Sequence, residues 1–270
     1  MSDTAEIELL VPADSTPGEM DHELARLQEG AKAFASLPIS NRLHLIEQGM
    51  AGVSAVAERW VRLACKAKGL DFDGSASAEE WFGGPMTTLR NLRLLKEALL
   101  EIRELGKPRL NENSVSSTAD GRAVVRVFPR DIFDKAMYAG FVADVWMQDG
   151  VTEETVEDTM AESYRDGGST SSVTLVLGAG NVASIGPMDV MHQLFVDNSV
   201  CLLKLNPVNA YLGPVLEDAF SAWIESGFMG VCYGGADIGE YLCQHPHVDR
   251  IHITGSDRTH DAIVWGPASE

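Results

Sequence analysis

The chain has 270 residues, 45% of them hydrophobic, with 21 Lys and Arg against 40 Asp and Glu, a formal net charge of −19 at pH 7. Such a length and apolar content suffice for one large packed domain or two small ones, and so negative a field repels a phosphate backbone, which argues against nucleic acid as a partner. The sequence contains no membrane-length apolar run, no basic and apolar signal region at its start, and no CxxC spacing among Cys65, Cys201, Cys232 and Cys243; the expectation is a reduced, cytoplasmic protein without a membrane partner.

Residues 1–20, with Pro12, Pro17 and several acidic side chains, read as a flexible arm. Leu24, Leu27, Ala31 and Phe34 then recur at helical spacing and start a first helix near Asp21. A second helix follows Ser40, whose hydroxyl is suited to cap it. Leu43, Ile46, Met50, Val53, Ala57, Trp60 and Ala64 fall three and four apart along it, and Lys66, Lys68 and Gly69 close it. A third runs from about Pro85 through Leu92, Leu95, Leu99 and Ile102 to the stop Gly106-Lys107-Pro108. Between Gly121 and Gln148 the pattern turns β-branched and aromatic: Val124, Val125, Val127 and Phe128 form one strand. Phe141, Val142, Val145 and Trp146 form another, joined by more than a tight hairpin turn. These two strands are edge-like and need covering. A short helix is expected over 153–165, and the Gly-Gly-Ser-Thr-Ser-Ser turn at 167–172 marks a domain boundary.

From Val173 apolar runs alternate with amphipathic stretches. The reading is strand 173–177, helix 187–196, strand 200–205, helix 212–225, strand 230–233, helix 238–244 and strand 250–254. This βαβ series implies a parallel sheet with helical cover, its strands buried on both faces. Gly178-Ala-Gly180-Asn-Val-Ala183 follows the first strand and matches the GxGxxA dinucleotide fingerprint. The fingerprint also asks for a carboxylate at the end of the next strand to hold the ribose hydroxyls. That strand ends in Lys204, Leu205 and Asn206, where a lysine donates instead of accepting, and the glycines serve equally well to turn the chain sharply. An ordinary short-chain reductase would add a Tyr-x-x-x-Lys pair, and none follows the fingerprint.

Gly180-Asn181, Leu203-Lys204-Leu-Asn-Pro207, Gly235-Ala-Asp-Ile-Gly239, His245-Pro-His-Val-Asp249 and Ile253-Thr-Gly-Ser256 occur in that order and spacing. Over roughly 173–256 the chain thereby resembles the aldehyde dehydrogenase superfamily. The resemblance implies an α/β fold: amino-terminal helices (21–120) packed on the cofactor domain, a two-stranded oligomerisation-type segment with its connector (121–172), and an incomplete Rossmann-like parallel-sheet domain for NAD or NADP (173–270). It implies that Asn181 offers its amide to the oxygen of a small aldehyde. The physics suits that role, since a fixed neutral donor stabilises the oxyanion formed by thiolate attack. It implies that Lys204 reaches the adenosine ribose, that Gly235 and Gly239 let the cofactor pass close to a helix start, and that Gly255 and Ser256 meet the pyrophosphate. Taken singly, Asn181 equally caps a turn, a lysine after a strand is commonly just solvated, and the glycines suit a plain turn.

Two departures leave choices open. Many members carry a glutamate three residues after the lysine, where this chain has Pro207, so NAD and NADP both stand and the acyl-CoA-forming branch is included. His260 stands where a glycine is usual. Cys243, His245, His247 and His252 have zinc-compatible side chains, but Pro246 breaks the helix and the family carries this turn without metal, so no metal site is expected. The resemblance also implies that the nucleophilic cysteine and the catalytic glutamate lie beyond the Thr-Gly-Ser motif. None of the four cysteines stands in that position: buried structural thiols are expected, hence an amino-terminal portion, inactive alone and homo-oligomeric at full length. The other reading is a naturally short nucleotide-binding or interaction module that pairs with a full-length relative through 121–148.

Overall fold

A computed structural model describes residues 8–165 and 171–266. Part of the expected boundary turn, residues 167–170, lies outside them. The chain divides into two units, Met1–Lys96 with Ser169–Glu270, and Glu97–Gly168.

The first unit is built on a four-stranded parallel sheet of β4 (Val173–Leu177), β5 (Val200–Lys204), β6 (Met229–Cys232) and β7 (Arg250–Ile253). Its spatial order is β6-β5-β4-β7, so the chain winds outward in one direction from β4 and then crosses back to lay β7 on the other side. That is the doubly wound arrangement, with a switch point between β4 and β7. Between the strands run α6 (Ile185–Phe195), α7 (Gly213–Ala219), α8 (Ser221–Glu225) and α9 (Ala236–Cys243), and α10 (Asp257–Trp265) follows β7. The single helix expected over 212–225 is two, because the backbone leaves helical geometry at Phe220 (φ −112°, ψ 23°).

The helices at the start of the chain supply the remaining cover. α1 (Pro17–Ala35) begins four residues before Asp21, because Thr16 and Glu19 form a reciprocal capping box and Pro17 is preset for the first turn. It packs against β4, β5, β6 and α9. α2 (Ile39–Lys68) follows Pro38 and receives no side-chain cap; Ser40, expected to cap it, lies inside the first turn and bonds to Asn41 instead. Gly69 ends it in the left-handed conformation, φ 69°, as a C-terminal glycine should. α2 packs on α7 and α8 so closely that a Cβ on Gly52 would stand 2.0 Å from the Ala219 carbonyl oxygen. A short α3 (Ser77–Trp81) and a π turn at Phe82–Met86 lead into α4 (Thr87–Leu105), which crosses from the first unit into the second and stops at Gly106 (φ 81°).

The second unit carries an antiparallel sheet, order β1-β2-β3, of β1 (Val115–Ser117), β2 (Ala123–Phe128) and β3 (Ala143–Trp146), with α5 (Ile132–Met137) between β2 and β3. β1 adds a strand to the two read from sequence. The helix expected over 153–165 is two 3₁₀ turns, Val156–Thr159 and Glu162–Tyr164. The core here is small: Ala123, Val125 and Val156, with Leu110, Val115, Met147 and Val151 packed around them.

Candidate functional site

The carboxyl ends of β4 and β5 lie side by side, with Leu177 opposite Lys204. Side chains alternate across a strand. Cys201 and Leu203 face α6, since the Cys201 thiol sits 3.9 Å from the Val190 carbonyl and the Leu203 methyl lies 3.4 Å from where a Gly186 Cβ would be. Lys204 therefore points to the opposite face, and its register partner on β6 is Cys232. It is only 8% exposed, and among the described residues its ammonium has no hydrogen-bond or ion-pair partner. Burial pushes its pKa below the ordinary 10.5, opposed by the Cys232 thiol and the fields of Asp237, Asp14 and Cys243. Asp14 is held nearby because Ser15 donates its N–H to the Tyr233 carbonyl (3.0 Å) and accepts the Tyr233 N–H on its hydroxyl (3.1 Å).

The loop after β4 is fastened to the loop after β5. Gly178 donates its N–H to the Lys204 carbonyl (3.0 Å), and Gly180 passes so near Asn206 that a Cβ would stand 3.0 Å from its amide. Asn209, buried in the 3₁₀ turn Pro207–Leu212, donates its amide to the carbonyls of Ala179 (3.1 Å) and Gly180 (3.2 Å). Asn206 and Asn209 were not singled out from sequence; Asn-Pro-x-Asn directly after Lys204 is the signal that could have found them. Asn181 stands exposed on the fastened loop, and its amide has no partner among the described residues. The same loop touches the π turn, where the Ser184 N–H reaches the Gly83 carbonyl at 3.2 Å.

The remaining sequence-derived residues lie around this edge on separate elements. Gly235 is the N-cap residue of α9, and Gly239 sits within α9 with open space where a Cβ would project. Gly255 and Ser256 are exposed after β7, beyond the switch point. Ser256 caps α10, accepting the Thr259 N–H at 3.3 Å. The zinc-compatible residues are divided among different partners. His245 faces Asp21 (3.2 Å) and accepts the His247 N–H (3.1 Å), whereas His252 faces Asp189 of α6 (3.3 Å). Among the described residues no group of three or more His, Cys, Asp or Glu is placed to hold a metal ion.

All four cysteines are free. Cys65 closes on the end of α2, Cys201 and Cys232 lie in β5 and β6, and Cys243 ends α9. Burial raises the pKa of each: Cys201 well above the ordinary thiol value, Cys232 to about 12, Cys65 and Cys243 upward. None has the low-pKa, electropositive setting that makes a thiolate nucleophile.

Solved structures share this architecture over nearly the whole chain. The fold is that of the aldehyde dehydrogenases. A cysteine-to-alanine variant of aldehyde dehydrogenase C from Pseudomonas syringae, complexed with NAD+ and octanal, superposes with a TM-score of 0.60 at 12% identity, covering 94% of this chain and 41% of its own. HpcC from Thermus thermophilus gives 0.59 at 11%, covering 94% and 39%. A variant of proline utilization A from Bradyrhizobium japonicum gives 0.60 at 14%, covering 94% and 21%. The chain thus spans well under half the length of these aldehyde dehydrogenase-fold proteins. No family model and no curated relative matches the sequence. Among the described residues no helix is long and apolar enough to cross a membrane.

Proposed function

We propose that these residues form the dinucleotide-binding portion of an NAD(P)-dependent oxidoreductase of aldehyde dehydrogenase type. The observation that carries this reading is Lys204: a side chain only 8% exposed whose ammonium has no partner among the described residues, at the carboxyl end of a parallel strand, one strand from the switch point. Open α/β sheets take ligands outside those strand ends, and a partly desolvated ammonium is stabilised by a ligand that supplies a hydrogen-bond acceptor. The surroundings fit a dinucleotide. Lys204 would donate to a ribose hydroxyl, Asp14 and Asp237 lie near enough to act on the same group, and the bare backbone of Gly235 and Gly239 leaves room beside α9. Gly255 and Ser256 would meet the pyrophosphate at the end of β7. Bound there, the nicotinamide would supply the hydride acceptor for aldehyde oxidation, and Asn181 would point its free amide at the aldehyde oxygen.

The thiols support a narrower statement about chemistry. None of the four is activated, so the residues of this chain bind and orient but contribute no nucleophile; turnover, whether water or coenzyme A releases the product, belongs to residues it does not contain. The same observation favours the second reading, a nucleotide-binding module that acts beside a catalytic relative.

Calorimetric titration with NAD and with NADP tests the site. Binding to one of them is expected, weakened roughly 10- to 100-fold in Lys204→Ala, the cost of one hydrogen bond to a charged group. Absence of binding, or equal binding by both proteins, overturns the assignment. Aldehyde-dependent NAD(P) reduction that survives replacement of all four cysteines overturns the statement about the thiols.

A further inference from the structure

We propose that Asp14 and Asp237 make the dinucleotide site select NAD and reject NADP, standing in for the strand-end carboxylate that the loop after β5 lacks. This deepens the dinucleotide reading and rests on it.

In dinucleotide-binding sheets a carboxylate near the end of the second strand accepts from the ribose 2′-hydroxyl of NAD, whereas a nearby arginine accommodates the 2′-phosphate of NADP. Neither follows β5: residues Leu205 to Leu212 include no Asp, Glu, Lys or Arg. Asn206 already accepts the Val208 N–H on its side-chain carbonyl (3.1 Å). An acceptor for the ribose has to come from another element at the same sheet edge.

The neighbourhood of β6 supplies two. Cys232 lies opposite Lys204, and its carbonyl accepts the Leu205 N–H (3.1 Å), so β5 and β6 end level. At the next residue the segment before α1 is tied to Tyr233 twice: the Ser15 N–H donates to the Tyr233 carbonyl (3.0 Å) and the Tyr233 N–H to the Ser15 hydroxyl (3.1 Å). Thr16 then enters the capping box of α1, which holds the tie from its other side and keeps Asp14 at this corner. Past Tyr233 the chain turns through Gly234 (φ 138°) and Gly235 into α9, whose first turn carries Asp237. Both carboxylates are exposed, and among the described residues neither has a hydrogen-bond or ion-pair partner. Both act on Lys204 through their fields. Glu23 of α1, whose field reaches Cys232, is instead paired with Arg26.

This arrangement sorts the two cofactors by charge. An ammonium beside two free carboxylates suits a ribose, whose hydroxyls both donate and accept. A phosphate monoester carries about −1.5 to −2 charges near pH 7, so a 2′-phosphate would meet two like charges against one opposite. Like charges about 4 Å apart repel even in water by on the order of 1 kcal/mol, several-fold in affinity.

Calorimetric titration of the intact chain with NAD and with NADP reads the selection, in the wild type, Asp14→Asn, Asp237→Asn and the double variant. The wild type should bind NAD roughly tenfold or more tightly than NADP. Each single variant should narrow that ratio about three- to tenfold, chiefly by tightening NADP, and the double variant should narrow it further. Both side chains are exposed and the replacements keep their shape, so folding should be retained, which matching far-ultraviolet circular dichroism checks. Added salt should also narrow the wild-type ratio, because screening weakens the repulsion, a readout that needs no variant. Equal affinity for the two cofactors, a preference for NADP, or a ratio unchanged in the double variant overturns the proposal; the dinucleotide reading then survives if Lys204→Ala still weakens binding. Failure of the wild type to bind either cofactor overturns both.

Discussion

Two tryptophans measure the difference between the two units. Trp223 in α8 is 1% exposed, stacks its ring near Phe195 and Phe220, and donates its indole N–H to the Leu45 carbonyl at 2.8 Å. Trp146 in β3 is 65% exposed, with the Arg122 guanidinium 5.8 Å from the centre of its ring. In the first unit, apolar surface is spent inside, on holding helices against a sheet whose strands β4 and β5 are buried almost throughout. In the second, a core of a few side chains leaves large apolar groups outside. The same residue type therefore carries folding in one unit and is left facing solvent in the other.

The comparison breaks most readily at Trp223. Trp223→Ala removes a buried aromatic together with its indole hydrogen bond to the Leu45 carbonyl, and should cost about 3–5 kcal/mol in urea unfolding followed by fluorescence. Gly52→Ala adds one methyl where the Ala219 carbonyl already stands, so α2 must move away from α7; about 3 kcal/mol is expected by the same measurement, since backbone on both sides cannot yield cheaply. Lys204→Met should act in the opposite direction. Below its depressed pKa the folded chain holds a partly desolvated ammonium that the unfolded chain exposes fully, so removing it should stabilise the unliganded protein slightly near pH 7, the effect being reduced by solvent screening. The gain should fade as pH rises toward 10.5, because the folded lysine loses its proton first and the penalty disappears. A gain independent of pH would point to better packing alone. At the small end, Trp146→Ala should change unfolding of the monomer by less than about 0.5 kcal/mol, as an exposed surface residue does; a larger loss would place Trp146 in the folding core and erase the contrast.

How much of this was legible in the sequence follows the same division. In the first unit β4 was read to the residue and β5, β6 and β7 to within one residue at either end; β4 and β5 are buried apolar runs with clear polar limits, whereas β7, expected to be buried on both faces, is exposed or half-buried along its length. What escaped there was punctuation decided by three-dimensional context. Ser40 has the chemistry of a cap, but the helix starts after Pro38, two residues too early for it. The break at Phe220 interrupts a pattern whose hydrophobic period runs on across it. In the second unit, β1 is three residues of Val115-Ser-Ser, too short and too polar to carry a period of two; it exists because Val115, Ser116 and Ser117 find partners on β2. The candidate site was half legible. Lys204 and Asn181 are notable by type and position, whereas Asn209 works through carbonyls about thirty residues away, a relation no local pattern encodes.

The cover of the parallel sheet has a consequence during synthesis. α1 ends at Ala35 and the first strand it rests on starts at Val173. A ribosome adding roughly 5–20 residues per second needs on the order of 10–30 s to make the stretch between them. Throughout that interval Met20, Leu24, Leu27 and Phe34, all sealed from water in the finished molecule, have no sheet to lie against. The nascent polypeptide must carry a sticky, acid-flanked helix through most of its translation, and co-translational binding of holdase chaperones should be strongest there and released once β6 leaves the exit tunnel.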